Sequence, residues 1–309
     1  MVDAIYRFPF DAMASRCEIR LALGSGSTLD GHAAEELAYA AIAEVRRIER
    51  TYSRYRADSI VSRINAAAGR YRVECDEETA QLLDYADHLH RASDGLFDIT
   101  SGVLRRAWDF RQPRVPHARE LAPLLALVDW PAVQRDGGAI FLPRAGMEID
   151  FGGFGKEYAA DRACALLQER GVRHGYVNLG GDMRFIGPQP DGRLWSIGIQ
   201  DPRKADGTVA SIAVSHGALT TSGDYERFID VDGKRYCHVL NPRTGMPVSH
   251  WRSVSVLAPL AVLGGSVSTI AMLKEDEGLS FLAASGLAYF AIDSMGQAHH
   301  HSISGDYAS

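Results

Sequence analysis

Asp150, Gly152, Gly153, Gly155 and Lys156 crowd into one short stretch, and a helical pattern follows directly: Tyr158, Ala159, Ala163, Leu166 and Leu167 recur on one face. Glycines ahead of a helix leave backbone N–H groups unpaired, and the positive end of the helix dipole points outward with them. An anion, most often a phosphate, is favoured there. Glycine also lets a ligand approach the main chain closely, and Lys156 adds a point charge beside it. The named phosphate motifs are not met. A P-loop requires Ser or Thr after Gly-Lys, whereas Glu157 stands here, and the strict GxGxxG fingerprint is absent. The same residues equally suit a tight strand-to-helix turn with a solvated lysine.

The elements that must position this stretch read as a short apolar strand ending in Asp150, the glycine loop, and a helix opening at about Lys156. Gly171 closes that helix, and a second strand, Tyr176 to Leu179, leads to the turn Gly180-Gly181-Asp182. Upstream, Phe8 to Leu23 reads as a strand broken at Asp11–Ser15, with a turn at Ser25-Gly26-Ser27. A long helix spans roughly Ala33 to Tyr55, with Ala41, Val45, Ile48 and Tyr52 on one stripe. Its polar end runs through Tyr55, Arg56, Asp58, Ser59, Arg63 and Asn65 as helix end and loop. Asp76 has the features of an N-cap, with Glu77 and Glu78 in the first turn and Leu82, Leu83, Ala86 and Leu89 as the apolar face. Gly95 stops this helix.

After Gly95, Asp98 and Thr100 precede Gly102, where small polar residues can line a pocket or cap a turn. Arg111 to Ala118 is a loop, and short elements joined by Gly137-Gly138 fill Leu121 to Ile149. Strands are expected at Trp195–Ile199, Ile212–Val214 and Ser253–Leu257. Two further strands, Thr220–Tyr225 and Tyr236–Gly245, are expected around a hairpin at Asp232-Gly233. Gly264-Gly265-Ser266-Val267-Ser268-Thr269 opens a final helix running through Met272.

A chain of 309 residues with 46% hydrophobic and 23% charged residues has the composition of a soluble globular protein large enough for a sizeable core. Net charge −6 and a pI near 6.0 give no electrostatic case for nucleic acid or an anionic membrane surface. No apolar run reaches the length of a membrane span. The first residues show no export signal, so a cytoplasmic setting is expected. Cys17, Cys75, Cys164 and Cys237 form no CxxC pair, which speaks for reduced thiols rather than zinc. His299-His300-His301 reads as a solvated, frayed tail, since consecutive residues do not converge on one ion. No repeat or linker divides the chain, and residues 1–309 are expected to form one domain.

Taken in order, several stretches resemble the ApbE-like FAD:protein FMN transferases. They are Met13-Ala14-Ser15, Tyr55–Ser59 with Ser62–Asn65, and Gly95–Gly102; then Asp150–Ala159 with Asp161, Asn178–Asp182, and Thr221–Tyr225; and finally His238–Pro242 with Thr244-Gly245, and Ser268-Thr269. The resemblance implies an α+β fold of largely antiparallel sheets flanked by helices, in two interlocked halves with a nucleotide cleft. It also implies magnesium-dependent transfer of the FMN half of FAD onto a Thr or Ser hydroxyl of an acceptor protein, with release of AMP. FAD is then a substrate and magnesium the cofactor. Carried over by position, Met13, Tyr55, Leu96, Phe97, Asp98, Asp150, Lys156, His238 and Leu240 would contact FAD. His238, Lys156 and Asp150 would serve catalysis, and the Gly153 carbonyl, Ser268 and Thr269 would face the metal.

Three departures from the family pattern stand out. Gly265 falls where the pattern has an acidic metal ligand, Glu157 replaces a common Gly, and Asn241 stands where Asp is frequent. Loss of the one charged oxygen weakens a magnesium site unless Asp150, Asp182, Asp224 or the FAD pyrophosphate compensates. Two other outcomes follow from the same departure: a flavin-binding protein without transfer activity, or a metal-dependent FAD hydrolase yielding FMN and AMP.

Overall fold

Alternating side chains in Ala4–Ala12 (β1) and Ser15–Leu23 (β2) build a hairpin whose register runs from Ala4 opposite Leu23 to Ala12 opposite Ser15. Its tip, Met13-Ala14, sits at φ 52° and 56° in the computed structural model, the left-handed backbone a two-residue hairpin turn demands. The strand expected to break at Asp11–Ser15 is therefore two strands and a turn. The structure describes residues 4–24, 30–136 and 138–302, so the turn at Ser25–Ser27 and the Gly137 half of the Gly137-Gly138 joint lie outside the described residues.

The remaining strands are β3 (Val73–Glu74), β4 (Gln134–Asp136), β5 (Ala139–Phe141), β6 (Gly175–Leu179), β7 (Asp182–Gly187), β8 (Trp195–Asp201), β9 (Lys204–Val214), β10 (Gly217–Gly223), β11 (Phe228–Val231), β12 (Lys234–Cys237), β13 (Trp251–Ala258), β14 (Ala288–Asp293) and β15 (Ala298–His301). The α-helices are α1 (Gly31–Tyr52), α2 (Ile60–Ala66), α3 (Glu77–Ala92), α4 (Ala118–Leu125), α5 (Gly155–Glu169), α6 (Ala261–Leu273) and α7 (Gly278–Ser285).

A wholly antiparallel sheet in the order β1-β2-β6-β7-β10-β13-β14-β15 forms the centre. Period-two alternation sends Ile19, Leu21 and Val177 to one face, where α5 packs between α1 and α6. Ala22, Tyr176 and Phe185 point to the other face and are covered by Trp195, Ile197, Ile212 and Val214 of the β8–β9 ribbon. A separate cluster of Trp108, Leu121 and Ile229, with Tyr236 and Leu240 against it, anchors the β11–β12 hairpin to α4. The expected α+β architecture of antiparallel sheets flanked by helices is thus observed. Among the described residues no helix is long and apolar enough to cross a membrane.

Local signals hold where they are local. Asp76 accepts from the Thr79 N–H at 2.8 Å and starts α3, and Gly171 follows α5 at φ 85°. Five expectations change. α1 stops at Tyr52, and the polar stretch beyond it contains α2, capped by Ser59 accepting from the Ser62 N–H. The hairpin at Asp232-Gly233 joins β11 to β12, while Thr220–Gly223 belongs to the central sheet and His238–Gly245 is a looped segment tied by a single bridge, Leu240 to Pro247. Gly264 and Gly265 lie inside α6, not at its start. The histidine tail is an edge strand: His299 pairs opposite Ala291 and its ring meets Asp293 Oδ2 at 3.0 Å.

The fifth change concerns the segment before the glycine loop. Met147–Asp150, with Met147 and Ile149 buried, belongs to no sheet among the described residues. The Asn65 side chain takes the place of a neighbouring strand, accepting from Ile149 N–H at 2.7 Å and donating to Ile149 C=O at 3.0 Å, while Asp150 N–H donates to Ile99 C=O at 2.9 Å. Asn65→Ala removes both partners of Ile149, and unpaired backbone groups of this kind cost about 1–3 kcal/mol. A urea midpoint lowered accordingly, at unchanged m-value, is the expected result.

Candidate functional site

Chain direction in the sheet decides what meets at one end of it. The β1–β2 tip and the β6–β7 turn are neighbours, because Gly180 N–H donates to Arg16 C=O at 3.1 Å and Gly180 lies against the Ser15 side chain. β10 runs antiparallel to β7, so Thr221, Ser222 and Gly223 arrive at the same end. α5 starts there, and α6 returns to it with Ser268 and Thr269.

Lys156 is not the solvated lysine of the turn reading. Its Nζ lies 2.7 Å from Asp182 Oδ2, with side-chain exposures of 28% and 4%. Asp182 Oδ1 accepts from the Thr221 N–H at 3.0 Å, so both of its oxygens are engaged. Burial works against the ammonium charge, but Asp182 and then Glu157 outweigh it and raise the Lys156 pKa. The N-cap position of α5, Phe154, offers no side-chain cap among the described residues. The Gly155 N–H is instead taken up by the Phe151 carbonyl at 2.7 Å, so the helix start acts on an anion through its dipole and the N–H groups that follow Gly155.

Hydroxyls gather beside this pair. Ser222 Oγ is 2.8 Å from Ser268 Oγ and 3.1 Å from Thr269 Oγ1. Ser268 Oγ also donates to Gly265 C=O at 3.0 Å. Glu157, on α5, is 8% exposed, and a Cβ built on Gly265 would lie 2.6 Å from its Cγ and 3.0 Å from its Cδ and Oε1. Its Oε2 is buried and makes no hydrogen bond among the described residues. Burial, then the facing Asp182 carboxylate, raises the Glu157 pKa. No three His, Cys, Asp or Glu side chains form a ready-made metal cage among the described residues. Any cation here would rest on mixed oxygens.

The other expected site residues fall in two groups. Met13 is at the β1–β2 tip, next to Ser15, which shares Gly180 as a neighbour with Lys156; its N–H donates to Glu49 Oε1 at 2.6 Å, and it lines an open pocket of about 430 Å³ together with Asp11, Ser15 and Arg16. His238 also reaches this group. Its Nδ1 lies 3.3 Å from the Arg227 carbonyl, and its ring remains open to solvent. Protein crowding, then the Arg227 charge, pushes its pKa down to about 4. Solvent contact moderates that depression, and the imidazole is largely neutral at pH 7 either way.

Asp150 heads the second group. It forms an ion pair with Arg54, whose guanidinium lies 4.9 Å over the exposed Tyr55 ring, and it accepts from the Gly152 N–H at 2.9 Å. Leu96 and Phe97 are buried, and Phe97 fills the space over Gly153, 2.7 Å from where a Cβ would stand. Asp98 caps the turn that follows it, accepting from the Thr100 N–H at 2.7 Å and the Trp130 N–H at 3.2 Å. Its side chain is spent on structure. Leu240 packs with the Trp108 cluster.

Sequence reasoning did not single out Arg54 or Ser222, and it noted Glu157 only as a departure. Arg54 carries no local signal, and Ser222 entered only as one residue of the Thr221–Tyr225 stretch, without a role. For Glu157 the signal was present: an acid gained at one position and an acid lost at Gly265.

Comparison with known proteins assigns this antiparallel sheet flanked by helices to the flavin-transferase type of protein. The chain belongs to the ApbE family, whose sequence profile matches residues 13–291. It is 33% identical over 242 residues to an FAD:protein FMN transferase of Klebsiella pneumoniae, spanning 76% of this chain and 75% of that one. The enzyme of the same name from Salmonella typhimurium is 30% identical over 256 residues, 79% of this chain and 73% of its own. Among solved structures, the ApbE protein of Thermotoga maritima superposes with a TM-score of 0.87 at 30% identity, covering 96% of this chain and 97% of that one. The apo flavinyl transferase ApbE of Pseudomonas stutzeri gives 0.82 at 28% identity, covering 96% and 93%.

Proposed function

We propose that this protein is an FAD:protein FMN transferase that joins FMN through a phosphoester to a Thr or Ser of an acceptor protein and releases AMP, with magnesium. The observation that carries the reading is the Lys156–Asp182 pair at the uncapped start of α5, with the hydroxyls of Ser222, Ser268 and Thr269 beside it. That suits a pyrophosphate: a fixed cation, the positive end of a helix dipole and neutral oxygens. The names of the Klebsiella and Salmonella relatives support the substrate and the kind of acceptor.

In this reading Lys156 holds a pyrophosphate oxygen and Asp182 keeps the ammonium in place. Met13, Tyr55, Leu96, Phe97, Asp98 and Leu240 shape the surroundings of the flavin nucleotide, and Asp150, braced by Arg54, orients the reacting groups. Neutral His238 takes the proton of the acceptor hydroxyl as its oxygen bonds to the phosphorus on the FMN side, and the bond from that phosphorus to the AMP oxygen breaks. The oxygens of Gly153, Ser268 and Thr269 would hold magnesium, which when bound offsets charge on the pyrophosphate.

Incubation with FAD, magnesium and a Thr-containing acceptor, followed by chromatography, checks this. AMP should appear only with the acceptor, in step with flavin fixed to it, and chelation should stop both. AMP with free FMN in the absence of acceptor would instead mean that water replaces the hydroxyl. FAD bound without any AMP across several acceptors would mean that the site only holds flavin.

A further inference from the structure

The geometry points to Glu157 as the acidic metal ligand of this chain, its carboxylate reaching across from α5 into the place left open at Gly265 on α6. The inference rests on the flavin-transferase reading for the identity of the site, but not for the cation chemistry. Gly265 lies three and four residues before Ser268 and Thr269, so the three share one face of α6. A side chain growing from Gly265 would point into the space that Glu157 already fills, since the added Cβ would come within 2.6 Å of Glu157 Cγ and 3.0 Å of Oε1. Two helices thus offer alternative mounts for one carboxylate.

The charge inventory of the site singles out the same residue. Asp150 is paired with Arg54, Asp182 with Lys156 and the Thr221 N–H, and Asp224 with Arg203 through two contacts of 2.7 Å. Glu157 Oε2 is the carboxylate oxygen buried here with no hydrogen bond among the described residues. Lys156 stands beside both carboxylates but its Nζ is bonded to Asp182 Oδ2, which leaves Glu157 Oε2 able to take a further cation. Hydroxyl, carbonyl and one carboxylate oxygen, with waters and substrate phosphate completing the shell, is a donor set that suits magnesium. The residues present therefore fit the ion that the family implies.

Mn²⁺ as a spectroscopic substitute tests the assignment without relying on turnover. Its affinity is read by electron paramagnetic resonance of the free ion, with FAD present, for wild type, Glu157→Gln, Gly265→Asp and the double variant Glu157→Gly/Gly265→Asp. FAD affinity is measured separately in chelator by flavin fluorescence, and folding by melting temperature. Glu157→Gln should weaken Mn²⁺ at least about tenfold while leaving the melting temperature near that of wild type. The double variant should recover Mn²⁺ affinity, because it moves the carboxylate from one mount to the other. Gly265→Asp alone should fold poorly, its Cβ overlapping Glu157. A folded Glu157→Gln variant that binds Mn²⁺ as wild type does would overturn the assignment and leave Glu157 as an acid protonated against Asp182. Wild type that binds no Mn²⁺ would overturn it too. Glu157-dependent Mn²⁺ binding in a protein that modifies no acceptor would sink the transferase reading and leave the ligand assignment standing.

Discussion

Lys156→Met is expected to lower flavin transfer by about 10²–10³ in kcat, the loss typical of removing one preorganised charge stabiliser from a reacting site. Methionine keeps the length and packing of the stem while deleting Nζ, so the effect reports charge. The same change leaves Asp182 Oδ2 without its 2.7 Å partner and Glu157 without the neighbouring cation. Breaking one side of a buried pair costs about 3–5 kcal/mol, and the partial exposure of Lys156 places the expected loss at the lower end. Guanidinium unfolding and FAD titration separate the two consequences. Asp182→Asn should repair part of the stability loss in the Lys156→Met background, since it removes the uncompensated charge, yet it should not restore transfer. Transfer that survives Lys156→Met within a few-fold would remove Lys156 from the phosphate site.

For His238→Asn the expectation is a fall of about 10²–10⁴ in kcat, the range of general-base contributions. FAD affinity should change much less, because Asn keeps one polar edge of the ring. The pH dependence gives the sharper test. Proton acceptance needs neutral imidazole, so wild-type kcat should fall as pH drops through the His238 pKa, between about 4 and the ordinary value of 6.5. The acid limb should vanish in His238→Asn. A variant that retains the limb would assign it to another group. One with weakened FAD binding and unchanged kcat would make His238 a binding residue alone.

What the sequence made legible follows how far apart the interacting residues lie. Asp76 and the Thr79 N–H are three residues apart, so that cap was readable, as was the left-handed Gly171 ending α5. The ordered motifs placed Lys156, Ser268 and Thr269 in one site because a family resemblance carries tertiary information that periodicity does not. The segment at Ile149 was misread as a strand for the opposite reason. Its hydrogen bonds come from Asn65, far back in the chain, and a short apolar run reads the same in sequence with a side-chain amide beside it as with a strand. His299–His301 became a strand because β14 lies alongside to pair with it, which three consecutive histidines cannot announce. Arg54 stayed hidden among other arginines until Asp150 was brought to it.

The contact between Gly265 and Glu157 also constrains how the gene can drift. If an acid first arises at position 265 while Glu157 remains, two carboxylates and an extra Cβ compete for one space. If Glu157 is lost first, neither helix carries the acid. Each single step passes through a handicapped protein, so the two codons, more than a hundred positions apart, should change as a pair. Across descendants and cousins of this chain, glycine at 265 should travel with glutamate at 157, and an acid at 265 with a small residue at 157.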